Sequence, residues 1–216
     1  VAWTGSDDVT FKNILILGSA AVALAIMFVL SVLAGNSHGY ITALLSLILI
    51  GIPALCIRKE FIVLPWPILL AIGLSLCLHN VGLVADLYMT TSWDILTHFI
   101  SGITVASIVS MMLIMVIVSS KKTKVPMAWI PSLILVSVLA LEGTWEILEF
   151  TIDTIMGTGM QHGLSDTMKD IVVNTLSGIV AGLGFTYYMS KASLQELVEN
   201  MKVERLVEWS RRTFSD

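Results

Sequence analysis

Long apolar runs separated by short polar connections dominate the chain. A membrane-crossing helix needs about 20 mostly apolar residues, and six stretches qualify: Asn13–Leu33, Tyr40–Ile57, Phe61–Leu78, Trp93–Val118, Met127–Leu148 and Thr167–Met189. The pattern predicts an all-α, polytopic membrane protein, a six-transmembrane-helix bundle over residues 13–190. The first run has signal-peptide length, but no A-x-A-like cleavage site follows it, so it reads as a retained helix behind a polar leader of residues 1–12. Pro53, Pro65 and Pro67 fall inside the second and third runs and predict kinks. Gly51, Gly73, Gly82 and Gly102 predict close helix contacts. The segment "GTGMQHG", residues 157–163, breaks the helical pattern before the last run.

The tail, residues 191–216, differs in kind. "SLQE" places Ser193 and Glu196 as a capping box. Leu194, Leu197, Val198, Met201, Arg205 and Leu206 then form an imperfect apolar stripe. An amphipathic helix over 193–209 is expected, lying on the cytoplasmic face or against a protein partner.

Composition agrees with the pattern: 56% of residues are hydrophobic and mean hydropathy is +0.89. Charge then sets an orientation. Arg58 and Lys59 follow the second run, Lys121, Lys122 and Lys124 follow the fourth, and Lys191 follows the sixth. The alternate connections, residues 34–39, 79–92 and 152–166, carry no Lys or Arg. The positive-inside rule therefore places both termini in the cytoplasm of a multi-pass cell-membrane protein. Cys56 and Cys77 lie within apolar runs and read as small packing residues.

The fifth run changes the picture. Its uncharged part, Met127–Leu141, is about 5 residues too short to span a bilayer. The span must take in Glu142 and Glu146, at a few kcal/mol each unless compensated. At ~100° per residue, Glu142, Glu146, Glu149 and Asp153 fall within an arc of roughly 60°. In "SDTMKDIVVNTLSG", Asp166, Asp170, Asn174 and Ser177 fall within ~80° by the same arithmetic. "SWDILTHFISG" opens the fourth run with Asp94 and His98 one turn apart and Ser101 below them. All three polar faces occur at the external ends of their helices under that orientation, and they are expected to meet in one cavity.

Seven acids (Asp94, Glu142, Glu146, Glu149, Asp153, Asp166 and Asp170) then share that region with a single strong base, Lys169. Such a cluster demands cations, protonation or hydrogen bonds. Three outcomes stay open: a bound divalent metal, a proton or ion path, or a structural tie between helices. The metal reading takes Asp94, His98, Glu146, Glu149, Asp166 and Asp170 as ligands, because carboxylates and a histidine at one-turn spacing on adjacent helices are how bundles build metal sites. Mg, Mn or Ca suit the carboxylates, and His98 admits Zn or Fe. Glu142 or Glu146 would act as catalytic base, with Asp153, Asn174, His79 and His162 lining the site; Asn80 and Asp86 join His79 at its mouth. Trp66, Trp93, Trp129 and Trp145 read as interfacial anchors. CxxC, HExxH, GxSxG and P-loop motifs are all absent.

"WDILTHFISG", "EGTWEILEFTID" and "GLSDTMKDIVVNTLSG" together resemble the YjdF-like integral membrane proteins and, more distantly, VanZ-like proteins, over roughly residues 60–190. By that resemblance the shared positions are Asp94, His98, Glu146, Glu149, Asp166, Asp170 and Asn174, while the first two helices and the tail fall outside it. The resemblance implies a polytopic membrane fold, and the glycopeptide resistance associated with VanZ-like members points to envelope chemistry. Three functions remain in view. One is a metal-dependent enzyme acting on a lipid or lipid-linked substrate of the bilayer. The others are a cation or proton transporter or channel, and a non-catalytic subunit of a larger membrane complex. The scarcity of Lys and Arg near the acids argues against a phosphate-rich substrate.

Overall fold

A computed structural model of the chain describes residues 6–59, 62–89, 92–119, 124–157 and 163–191, with Ser193, Val198 and Met201. Among the described residues there is no strand. The helices are α1 (Ser6–Leu33), α2 (Ser37–Arg58), α3 (Trp66–Val84), α4 (Trp93–Ser119), α5 (Ile130–Met156) and α6 (Leu164–Lys191). Single 3-10 turns lie at Leu87–Met89 and Met127–Trp129. All six helices are long and apolar enough to cross a membrane.

Burial runs opposite to that of a water-soluble bundle. On α6, Val172, Leu176, Val180 and Leu183 are exposed, while Asp170, Asn174, Ser177 and Gly178 are buried. In water each exposed leucine would forgo about 1.5–3 kcal/mol of burial. In hydrocarbon the outward leucines cost nothing, and the polar groups must be satisfied inside.

Local chemistry sets the helix ends. Asn36 caps α2, its Oδ1 accepting from the Gly39 N–H at 2.8 Å. Pro65 is the N-cap of α3 and Pro67 lies in its first turn. The expected kink is therefore a helix start, where the missing proline N–H leaves no bond unmade. Pro53 is contained within α2, which runs on to Arg58. α5 continues past Leu148 to Met156, two turns beyond the apolar run, so all four of its acids ride on one helix. It stops at Gly157, whose φ of 62° is left-handed and whose N–H donates to the Asp153 carbonyl at 2.9 Å.

The helices sort into two compact units, one built on α1–α3 and the other on α4–α6. In the first, Leu17, Ala20, Leu24, Ile50 and Leu69 form the core, with Cys77 packed against it. Both cysteines are free thiols. Gly73 lets α3 close on α1, since a Cβ there would come 3.2 Å from the Ala20 Cβ. A Cβ on Gly51 would meet nothing within 4 Å among the described residues. Asn80 does not line a mouth: it is buried and donates to Ser46 Oγ at 2.8 Å and to the Leu76 carbonyl. Most of the tail helix expected over 193–209 lies outside the described residues. Val198 and Met201 are buried, and the Met201 carbonyl accepts from the Val63 N–H at 2.8 Å.

In the second unit, α5 and α6 run antiparallel at close range. A Cβ on Gly178 would reach Leu135 Cδ1 at 3.0 Å, and one on Gly182 would reach the Pro131 carbonyl oxygen at 3.1 Å. α4 runs parallel to α6, and a Cβ on Gly102 would fall on the Ser177 hydroxyl. Small residues thus set the spacing at which polar side chains of three helices meet. Gly182→Val, pressed against backbone, is expected to destabilise the folded protein by about 1–3 kcal/mol. Gly51→Ala, in open space, should leave stability unchanged or raised. Thermal unfolding in detergent checks both, and equal losses in the two variants would contradict the packing account.

Candidate functional site

Helix starts position the first acids. Asp94 lies in the first turn of α4 and Asp166 in the first turn of α6. There the unpaired N–H groups and the helix dipole favour negative charge. Because α4 and α6 run parallel, their positive ends lie at the same end of the unit. His98 follows Asp94 by one turn, and its Nε2 lies 3.4 Å from Asp94 Oδ1 and 3.8 Å from Asp170 Oδ1. Ligand atoms of Asp94, His98 and Asp170 all lie within 4.8 Å of one another. The Asp94 side chain is 27% exposed, that of His98 13% and that of Asp170 5%, so the group opens at Asp94 and closes at Asp170. Among the described residues, Asp170 Oδ1 is buried with no hydrogen-bond partner.

α5 supplies a second wall. Glu142 and Glu146 are both buried. Glu142 Oε2 accepts from Asn174 Nδ2 at 3.1 Å, and the same nitrogen lies 3.2 Å from His98 Nδ1. One carboxamide on α6 therefore touches α4 and α5 at once. Glu146 Oε1 is buried without a hydrogen-bond partner. Glu149 is half-buried and accepts from the Trp145 indole N–H at 2.7 Å. Trp145, expected only as an interfacial anchor, thus also holds an acid; its place one turn before Glu149 was the available signal. Asp153, one turn beyond Glu149 on α5, and Asp166, one turn before Asp170 on α6, are half-buried.

Not every expected residue joins the central group. Glu146, Glu149 and Asp166 stand outside the 4.8 Å cluster of Asp94, His98 and Asp170. His79 belongs to α3 in the first unit, so the second unit builds its cluster without it. His162 lies outside the described residues. Tyr88, not expected near the site, donates its hydroxyl to Thr97 Oγ1, the residue before His98, at 3.4 Å. Burial pushes its phenol above the ordinary range and keeps it a neutral donor. No spacing motif in the sequence marked that contact.

Beyond the cluster the second unit turns apolar. Thr104, Ser107 and Ser110 are buried, but their hydroxyls donate to carbonyls of α4 itself at 2.8, 2.7 and 2.6 Å. Ile114, Ile130, Ile134 and Val138 are fully buried.

No curated protein and no solved structure gives a significant match. A family described as "Predicted membrane protein (DUF2238)" matches residues 15–191. The match begins within α1, so the first two helices, which the motif resemblance left out, fall inside it. It bears on neither the YjdF-like name nor the VanZ relation. All the acids of α4, α5 and α6 lie within the matched span, and the chain belongs to this DUF2238 family of predicted membrane proteins.

Proposed function

We propose that the second unit holds one divalent cation between α4 and α6, on Asp94, His98 and Asp170, and that the cation acts on a lipid or lipid-linked substrate. The observation that carries this is Asp170 Oδ1, a buried oxygen with no hydrogen-bond partner, 3.8 Å from the imidazole nitrogen that also meets Asp94. A buried carboxylate oxygen without a hydrogen bond is costly, and a cation would compensate it. Donors bonded at about 2.1 Å to one ion stand roughly 3–4 Å apart, which the separations of 3.4 and 3.8 Å match. Two carboxylates with a neutral imidazole balance a divalent charge. Calcium asks for six to eight oxygens, so this mixed set favours Mn, Fe or Zn over Ca, with Mg less suited to the imidazole.

Three protein ligands leave coordination positions open, and a cation there would polarise a substrate oxygen as a Lewis acid. Glu146 offers a buried, unpartnered carboxylate oxygen as general base. Glu142 is tied to Asn174. Lys169 is exposed on α6, and Lys and Arg are scarce along the acid-bearing segments, which favours a neutral carbonyl-type group over a polyphosphate. The hydroxyls of Thr104, Ser107 and Ser110 are engaged by their own helix and followed by apolar side chains, which supports a dead-end site over a conduit. One observation favours a second reading. The Asn174 amide itself joins three helices, as a purely structural tie would.

Elemental analysis of the purified, folded protein decides between them. One Mn, Fe or Zn per chain is expected, with affinity reduced at least ~10-fold in Asp170→Asn and His98→Ala and retained in Asp166→Asn. Folded wild type that stays metal-free when these ions are supplied would remove the metal reading in favour of the structural tie.

The Lys and Arg distribution, read by the positive-inside rule, supports a site that faces the outside of the cell membrane. In a background with Cys56 and Cys77 replaced by alanine, Ser165→Cys should react with an impermeant thiol reagent on intact cells. Lys124→Cys should react only after permeabilisation. The reverse pattern would turn the site toward the cytoplasm.

A further inference from the structure

We infer that Asn174 sets the tautomer of His98, its carboxamide turning over when a cation binds and releasing Glu142 as it does so. The inference rests on the cation reading above and assigns to Asn174 a positioning role.

Asn174 is 1% exposed, one turn beyond Asp170 on α6. Its Nδ2 lies 3.2 Å from His98 Nδ1 and 3.1 Å from Glu142 Oε2, while its Oδ1 is buried with no hydrogen-bond partner. That oxygen faces α4 at Gly102, where a Cβ would come within 3.0 Å of it. The amide is thus half satisfied: both good contacts fall on its nitrogen and none on its oxygen.

A neutral imidazole carries its proton on one nitrogen, and the partner of the other nitrogen fixes which. With Asn174 Nδ2 donating to Nδ1, the ring proton sits on Nε2, where it points at Asp94 and Asp170. This suits a metal-free cluster, since an N–H meets two carboxylates. It is the wrong tautomer for a ligand, because Nε2 must present its lone pair to the ion. The ligating tautomer carries its proton on Nδ1 and needs an acceptor beside it, as metal-bound histidines usually have.

Asn174 supplies that acceptor by turning its carboxamide through about 180°, an exchange of two ends of nearly equal size. Oδ1 then accepts from His98 Nδ1–H, while Nδ2 moves to the place beside Gly102 that Oδ1 held, and Oδ1 facing Glu142 Oε2 drives that carboxylate away. The same turn withdraws the Nδ2 donor from Glu142. Its carboxylate is released from α6 as the cation arrives, free to take a proton from a bound substrate or water. Loading of the site and readiness of its second carboxylate thus become one event. The proton on His98 moves from Nε2 to Nδ1 with no net gain or loss.

Exchanging donor and acceptor across the contact tests this. The E142Q/N174D pair keeps net charge and gives His98 Nδ1 an acceptor that cannot turn into a donor. N174L removes both functions. The pair is expected to bind Mn or Zn within a few-fold of wild type, and N174L 10–100-fold more weakly. A readout that packing alone would not move is nitrogen NMR of histidine-labelled, metal-free protein, with the His98 signal assigned by its loss in His98→Gln. Wild type should show His98 protonated on Nε2 and the exchanged pair on Nδ1. Metal-binding wild type with both variants equally weakened would overturn the inference and leave the cation site standing. Metal-free wild type would remove the cation site, and the same tautomer in wild type and the pair would remove Asn174's control of the ring.

Discussion

A carboxylate inside hydrocarbon must be answered by something, and this chain carries several on helices that have to cross a membrane. Leaving one ionised and alone at bilayer depth costs a few kcal/mol or more, comparable with a large share of a protein's total stability. The second unit answers in three ways. Asp94 and Asp166 sit at the positive ends of α4 and α6. Glu142 and Glu149 accept from an amide and an indole N–H. Asp94 and Asp170 flank one imidazole. Asp153, in the last turn of α5, sits where the dipole of its own helix opposes it.

The packing serves this electrostatic need. Gly178 and Gly182 bring α6 against α5, and Gly102 brings α4 against Ser177. Lipid offers no hydrophobic drive for helices to associate, so close backbone contact and polar ties must hold them. The Asn174 amide is such a tie, reaching His98 on α4 and Glu142 on α5. A wider α4–α6 spacing would separate His98 from Asp170. The glycines and the cluster thus form one arrangement.

Much of this was legible in the residues because the membrane imposes length and periodicity. The apolar runs marked all six helices, and the one-turn spacing of Asp94 with His98 and of Asp166 with Asp170 marked two polar faces. Helix ends were less legible. Pro65 and Pro67 read as kinks because an apolar run carries no sign of where its first hydrogen bond closes, and α5 outran its apolar segment because acids with internal partners need no end to the helix. The membership of the cluster was least legible. Glu146, Glu149 and Asp166 share faces with the central group but stand outside it, since a helical wheel gives angle and not depth. His79 and Asn80 illustrate the same limit: polar residues at a helix end do not reveal which neighbour they serve, and Asn80 serves Ser46. The Gly178-x-x-x-Gly182 spacing carries the signal of a close-packing motif in the sequence itself.

The meeting of α4 and α6 around one ion is the claim on which the functional reading stands. Anomalous diffraction from crystals grown in a lipid phase with Mn supplied would test it most directly. The account predicts a single strong peak at about 2.1–2.3 Å from His98 Nε2 and from carboxylate oxygens of Asp94 and Asp170. A peak held by other residues, or a well-ordered cluster with Asp170 hydrogen-bonded and no peak, would contradict it.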